Sequence, residues 1–529
     1  MEFAGVSLIA GREAAKAGTE FRAIDPSTGK SIDPPFYSAT EEDVDHAAHA
    51  AYDAFLIWRK RSGRERARLL RSIADGLDAA ASAIVARAQL ETALPEARLQ
   101  GETKRTSGQC RLFADVVEEG SWVAARIDTA LPDRKPLPRP DIRSMLQPLG
   151  PVAVFGASNF PLAYSVAGGD TASALAAGNS VVVKAHPAHP GTSEIVARII
   201  VESVRACGAP EGVFSMLYDQ GFAIGQALVR HPLIGAVAFT GSHKGGRALM
   251  DLAAQRPDPI PCLAEMGSTN PVFLLPGALR QQGNELAAGI FGAFTLGAGQ
   301  FCTKPGMVFV PEQPEATPLL AELRRLTGES AAFTLLTPGI AANYTRSLQA
   351  RSEERGLTME EAQPAAGACA VSAALLETEI DAFLEHPEWS QEVFGPTSLV
   401  IRYQQREAMM RAAEELEGHL TASVWGTDAD LAEYADLIAI LERKAGRLIF
   451  NGFPAGLEVC DAVVHGGPYP ACSDSRFTAV GSRAILRFAR PVCYQGFPET
   501  SLPDELRDAN PLGILRMING GTTRDPVQA

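Results

Sequence analysis

Gly150-Pro151-Val152-Ala153-Val154-Phe155-Gly156-Ala157-Ser158-Asn159-Phe160-Pro161-Leu162 is the stretch that decides the fold. Its first half is a short apolar run with β-branched residues, the pattern of a buried strand, and it passes through small residues and an Asn into what reads as a helix. The same alternation continues outward. Ser180 to Val183, Val213 to Leu217 and Gly235 to Phe239 read as strands, with helices around Leu162 to Ala177, Thr192 to Cys207, Gly221 to Arg230 and Lys244 to Ala254. That spacing builds a doubly wound α/β sheet.

A second apolar series (Pro271 to Leu275, Met307 to Val310, Thr397 to Ile401, Ser423 to Gly426, Arg447 to Phe450) predicts another α/β domain in the second half. Upstream, Glu42 to Trp58 and Gly63 to Glu91 have helical periodicity, so two or three long helices precede the first sheet. Between Asp128 and Asp141 the prolines exclude a helix interior or a central strand and leave a connection or an edge element.

At 529 residues the chain calls for two or three domains, each with its own core. Hydrophobic residues at 46% and charged residues at 21% are those of an ordinary globular enzyme. The 48 Lys and Arg against 62 Asp and Glu give a formal charge of −14, which repels phosphate backbones and anionic lipid, so neither nucleic acid nor a membrane is an expected partner. Eight scattered cysteines with no C-x-x-C pair fit reduced thiols. Met1-Glu2-Phe3-Ala4-Gly5 lacks a basic leader region and no apolar run is long enough to span a bilayer, so the expected location is cytoplasmic.

Chemistry concentrates in three places. In Leu296-Gly297-Ala298-Gly299-Gln300-Phe301-Cys302-Thr303-Lys304-Pro305-Gly306, a helical run ends in small residues and sets Cys302 on a tight turn before the strand from Met307. Such a turn suits a nucleophile whose own N–H also reaches the substrate, although a Cys taken alone is more often an inert small hydrophobe. Leu263-Ala264-Glu265-Met266-Gly267-Ser268 puts an acid in an apolar strand and turn, either a base with a raised pKa or an ion-paired acid. Asn159 at its strand end is either a reactive-site amide or an Asx cap for the following helix.

Together with Lys184 after Val182-Val183, Phe239-Thr240-Gly241-Ser242 and Glu392-Val393-Phe394-Gly395-Pro396, these segments resemble the aldehyde dehydrogenase superfamily, in the family's order and over roughly Glu20 to Arg490. The resemblance implies an α/β aldehyde dehydrogenase fold: two doubly wound α/β domains plus a small oligomerisation element. It places the dinucleotide-binding domain at 1–127 and 150–258, the catalytic domain at 259–482, and the bridging element at 128–149 and 483–529. A homodimer or homotetramer is implied as well.

The resemblance makes Cys302 the nucleophile, Asn159 with the Cys302 N–H the oxyanion hole, and Glu265 the base that activates water against a thioester. Lys184 becomes the adenosine-ribose ligand, where the residues alone would suggest only a solvated strand-end lysine. Ser242, with Gly241 and Gly245, opens a helix toward the pyrophosphate. Glu392 holds the nicotinamide ribose, with Phe394 beside it. The three-glycine dinucleotide fingerprint is absent, so this is not the ordinary Rossmann phosphate loop.

Lys184-Ala185-His186-Pro187-Ala188-His189-Pro190, Glu265-Met266-Gly267-Ser268, Val464-His465-Gly466-Gly467-Pro468-Tyr469-Pro470 and Asn510-Pro511-Leu512-Gly513 resemble the branch holding α-ketoglutarate semialdehyde (2,5-dioxopentanoate) dehydrogenases and an NADP-dependent bacterial fatty-aldehyde enzyme. Pro187 stands where many NAD enzymes carry an acid, which leans the cofactor toward NADP over NAD. No phosphate-binding arginine is evident in Asp219 to Ala223, so NAD stays open. His465 is either a partner of the thiol or a hydrogen-bonding loop histidine. His186-x-x-His189 lacks a third ligand and is not a metal site.

For the substrate, Arg105 and Gln109 on the helix Gly101 to Glu118 are expected along the aldehyde's path, with Phe160 and Tyr164 on the opposite wall. An arginine there suits a carboxylate, unless it is simply one more surface residue of an Arg-rich helix. The reaction expected is oxidation of a small aldehyde to an acid, 2,5-dioxopentanoate to 2-oxoglutarate. Alternatives are a fatty or aliphatic aldehyde dehydrogenase, a coenzyme A-acylating one, and a thiol hydrolase using Cys302 and His465 without a nicotinamide.

Overall fold

Val152–Phe155, the apolar run quoted above, is the third strand of a seven-stranded sheet ordered Cys262–Glu265, Ala236–Thr240, Val152–Phe155, Val181–Lys184, Phe214–Leu217, Leu8–Ile9, Arg12–Glu13. The computed structural model describes residues 3–363 and 366–528. The first five strands are parallel, and the N-terminal pair adds an antiparallel edge. Strand order reverses between Val152–Phe155 and Ala236–Thr240, and at such a switch point the loops leaving the strand ends part to form a crevice. Register puts Phe155 opposite both Lys184 and Phe239, and Thr240 opposite Glu265. The loop bearing Asn159, the end of the Lys184 strand, the turn to Ser242 and the Glu265 strand end therefore open on one edge.

Two expectations are corrected. The helix expected from Leu162 starts only at Gly169, and residues 161–168 are turns, although buried. The cause is Glu102, on the helix Glu96–Glu119: its Oε1 accepts from the N–H groups of Leu162 (2.9 Å) and Ala163 (3.0 Å), so these donors are satisfied without a helix. Second, the periodic stretch Gly63 to Glu91 is two helices, Gly63–Ala79 and Ala81–Thr92, parted at Ala80, whose ψ of 5° leaves the helical region. With Glu41–Trp58 and Glu96–Glu119, four α-helices precede the parallel strands of this sheet. Trp58 anchors the first of them by donating from Nε1 to Leu175 O at 3.1 Å.

The second sheet has the order Thr358–Glu361, Ala374–Glu379, Thr397–Tyr403, Met307–Pro311, Val272–Leu274, His419–Trp425, Ala445–Phe450, parallel except for its first pair. The strand expected at Ser423 begins four residues earlier, because His419 and Thr421 are buried despite their polarity. A third, five-stranded sheet joins Arg126–Asp128 and Ile142–Pro148 to Ala489–Gln495, Arg516–Ile518 and Gly521–Thr523. The proline-rich run between its first two strands closes on itself through a Leu131–Arg139 bridge. Among the described residues no helix is long and apolar enough to cross a membrane.

Glu102 is buried and its Oε2 has no partner, so its stabilising effect rests on the two N–H bonds and the neighbouring arginines. Glu102→Ala should lower the unfolding free energy by about 2–4 kcal/mol in urea titrations, and Glu102→Gln, which keeps an acceptor, by distinctly less. An unchanged midpoint for the alanine variant would remove Glu102 from this role.

Candidate active site

The thiol loop begins where the helix Pro276–Thr295 gives way to Leu296–Gly299, a turn with Gly297, Ala298 and Gly299 all at positive φ. At Gly299 (φ 68°) a β-carbon would lie 2.1 Å from Gly395 O, so only glycine fits. Gln300 is buried and its Oε1 accepts from Leu336 N at 3.0 Å. Asn270 does the rest. Its Nδ2 donates to Cys302 O (2.8 Å) and Lys304 O (2.9 Å), while its Oδ1 accepts from Thr421 N (3.2 Å) and Thr421 Oγ1 (2.9 Å). One side chain thus fixes the Cys302 backbone to the His419–Trp425 strand.

His465 Nε2 lies 3.5 Å from Cys302 Sγ and 2.9 Å from Glu265 Oε1, with the histidine and the glutamate both buried. A single nitrogen cannot donate to the carboxylate and also accept from the thiol. The shorter contact assigns the proton to Nε2, which donates to Glu265, and His465 is then not the acceptor for the thiol's proton. Glu265 Oε2 is buried and without a partner, and the carboxylate, the thiol and the His465 ring lie within 4.8 Å of one another. Burial, reinforced by the negative charge of Glu265, holds the Cys302 thiol well above the usual thiol range, with Arg105 pulling the other way. Cys302 therefore rests as a protonated thiol.

Asn159 is half-buried, and its Nδ2 donates to Gln300 O at 2.9 Å, which joins it to the thiol loop. An amide has two hydrogens, so one remains for a developing oxyanion. No helix follows for it to cap. Arg98, to which the sequence reading gave no role, donates to Asn159 O at 2.8 Å and lies over Phe160 (4.9 Å) and Phe301 (4.5 Å).

Arg105 and Tyr164 come together: Arg105 Nη2 donates to Tyr164 Oη at 2.9 Å and the guanidinium lies 5.2 Å from the Tyr164 ring. Phe160 packs edge-on against Tyr164 and Phe301, at 5.2 Å each, and Tyr164 is 6.2 Å from the His465 ring. Burial pulls the Arg105 pKa down, but Tyr164, Cys302 and Glu102 together leave it raised, so the group is a fixed cation. Gln109 sits one turn further along the helix, buried, with its Nε2 unpartnered and its Oε1 facing Gly169. Arg447 is a further cation here: burial lowers its pKa, with Cys302 and Tyr164 opposing, and it donates to Pro454 O and Gly456 O.

On the crevice side, Lys184 ends its strand, and burial brings its pKa down to about 8, opposed by Asp219. Ser242 caps the helix His243–Ala254 by accepting from Gly245 N at 3.2 Å, and Gly241 N donates to Glu265 O at 3.0 Å. Glu392 lies against Gly267, where a β-carbon would stand 2.2 Å from its Oε2, and its Oε1 is buried without a partner. Phe394 is half-buried next to it. A carboxylate with one buried, unpartnered oxygen and a helix N-terminus on one edge fit the ribose hydroxyls and pyrophosphate of a dinucleotide. His186 and His189 stack on each other; His189 Nε2 faces Ala157 O at 2.9 Å and His186 Nδ1 accepts from Ala188 N at 3.2 Å.

The elevated thiol pKa predicts that alkylation of Cys302 by iodoacetamide, followed by peptide mass spectrometry, keeps accelerating from about pH 7 to 9 with no plateau, because the thiolate fraction is still growing. Glu265→Gln removes the charge that raises the thiol, so its profile should move to lower pH. A wild-type plateau below about pH 8 would contradict this reading.

A sequence profile described as the aldehyde dehydrogenase family matches residues 13–467. The alpha-ketoglutaric semialdehyde dehydrogenase 2 of Azospirillum brasilense is 49% identical over 522 residues, covering 98% of this chain and 99% of its own length. The alpha-ketoglutaric semialdehyde dehydrogenase of Acinetobacter baylyi is 44% identical over 532 residues, with the same coverage of 98% and 99%. An NAD+ complex of aldehyde dehydrogenase from Bacillus cereus has the same fold, with a TM-score of 0.79 at 22% identity over 93% of this chain and 96% of that one. On this evidence of sequence and fold, the chain belongs to the aldehyde dehydrogenase family and is a nicotinamide-dinucleotide-dependent aldehyde dehydrogenase.

Proposed function

We propose that the enzyme oxidises 2,5-dioxopentanoate to 2-oxoglutarate through a thioester on Cys302. The observation that carries the substrate assignment is the Arg105 cation: it is bonded to Tyr164, its Nε is buried without a partner, and it is near enough to Cys302 to influence the thiol. A half-buried guanidinium with a buried donor to spare favours a carboxylate-bearing substrate. The names of the two relatives that span nearly the whole chain support the same choice.

Cys302 gives up its proton to solvent and attacks the aldehyde carbon, and the oxyanion of the hemithioacetal takes N–H bonds from Asn159 Nδ2 and the Cys302 backbone. The dinucleotide, when bound, supplies the hydride acceptor. Lys184, Gly241, Ser242, Gly245, Glu392 and Phe394 hold it, and the lean is to NADP, because Pro187 leaves no carboxylate against a 2′-phosphate. Glu265 then takes a proton from the water that attacks the thioester, with His465 fixing the carboxylate's other oxygen. Residues 1–127 and 150–258 serve as the dinucleotide-binding domain, 259–482 as the catalytic domain, and 128–149 with 483–529 as the bridge of a cytoplasmic homodimer or homotetramer.

Glu265→Gln should give one burst of reduced cofactor and then stall at the thioester; sustained wild-type turnover would exclude Glu265 as the base. Arg105→Leu should raise KM for a carboxylate-bearing aldehyde roughly ten- to a hundredfold, the scale of one charge-assisted hydrogen bond, and barely change it for a neutral aldehyde of similar length. Equal losses on both substrates would make Arg105 a structural residue.

A further inference from the structure

Lys304, two residues past the thiol, is almost completely buried. Its Nζ donates to Val393 O at 2.7 Å and Thr397 O at 2.9 Å, the carbonyls that bracket the turn after Glu392. Its own carbonyl and that of Cys302 share the Asn270 amide. The thiol loop and the Glu392 segment also meet at either end of this tie, at Gly299 against Gly395 and where Gly306 O accepts from Leu399 N at 2.9 Å. Two carbonyls need only a neutral donor, and a buried ammonium is costly unless its charge is used. Glu392 is the charge that answers it. Burial raises the Glu392 carboxyl to about 7 with Lys304 opposing, and burial lowers Lys304 to about 8 with Glu392 opposing.

We propose that Lys304 is a positioning residue for the dinucleotide: it ties the thiol loop to the Glu392 segment and supplies the counter-charge to that carboxylate, so the ribose ligand stands at a set place relative to the thiol. This rests on the reading of Glu392 as the ribose ligand. Lys304 touches neither the aldehyde nor the reacting atoms. Its loss therefore acts on dinucleotide affinity and not on aldehyde binding.

The test compares Lys304→Met, which removes tie and charge, with Lys304→Gln, which keeps an amide donor without the charge. Dissociation constants for NAD and for NADP are read by calorimetry on the unreacted enzyme, beside aldehyde KM and melting temperature, with Glu392→Gln as reference. Lys304→Met should weaken dinucleotide binding about tenfold, and Lys304→Gln less, with aldehyde KM unchanged in both; the melting temperature falls only for Lys304→Met, which leaves the Val393 and Thr397 carbonyls without a donor, and stays near wild type for Lys304→Gln. If Glu392→Gln binds dinucleotide like wild type, the ribose reading fails and the proposal falls with it. If Glu392→Gln weakens binding and neither Lys304 variant does, the positioning role alone is overturned. Parallel losses in melting temperature, aldehyde KM and dinucleotide affinity in both Lys304 variants would make the residue merely structural and overturn it too.

Discussion

The site depends on one amide. Asn270, in the left-handed conformation at φ 46°, holds the carbonyls of Cys302 and Lys304 with its nitrogen and the strand His419–Trp425 with its oxygen. A buried loop cannot leave its carbonyls unpaired, so this side chain permits a tight irregular turn to lie between two sheets. The thiol then faces Glu265 and His465 on one side, while two residues later the chain reaches the Glu392 segment on the other. Cys302, Glu265 and the Glu392 segment are all referred to the same few hydrogen bonds.

Around that frame the charges hold the Cys302 thiol protonated. Burial and Glu265 both disfavour thiolate, and the Glu265–His465 contact holds the carboxylate in place. Arg98 lies over Phe160 and Phe301, Arg105 lies over Phe160 and Tyr164, and Arg447 is near enough to feel the thiol and Tyr164. Cations beside an aromatic wall stabilise incoming negative charge, whether a substrate carboxylate or the thiolate itself. An anionic substrate would thus bring a second negative charge to a region already supplied with positive ones, and the protonated thiol would not repel it.

Much of this was legible in the sequence. Cys302, Glu265 and Asn159, which the structure brings together, stand in short motifs readable from the residues themselves, and the buried strands announce themselves by local apolar runs. What stayed hidden depends on partners far along the chain. The segment after Phe160 looks helical until Glu102, some sixty residues upstream, takes its N–H groups. Lys304 reads as a loop lysine until its carbonyl partners at Val393 and Thr397 appear. Arg98 is one arginine among several on its stretch until it is found on Asn159 O. The Asn270-Pro271 pair did carry a turn signal, but not the identity of the carbonyls it holds.

The most direct test of the account is kcat/KM for 2,5-dioxopentanoate against pentanal and a long-chain aldehyde, each with NAD and with NADP. A cationic wall bonded to a substrate carboxylate predicts that the keto acid exceeds both neutral aldehydes by roughly ten- to a hundredfold. Equal or greater efficiency on the neutral aldehydes would contradict the assignment and leave a general aliphatic aldehyde dehydrogenase.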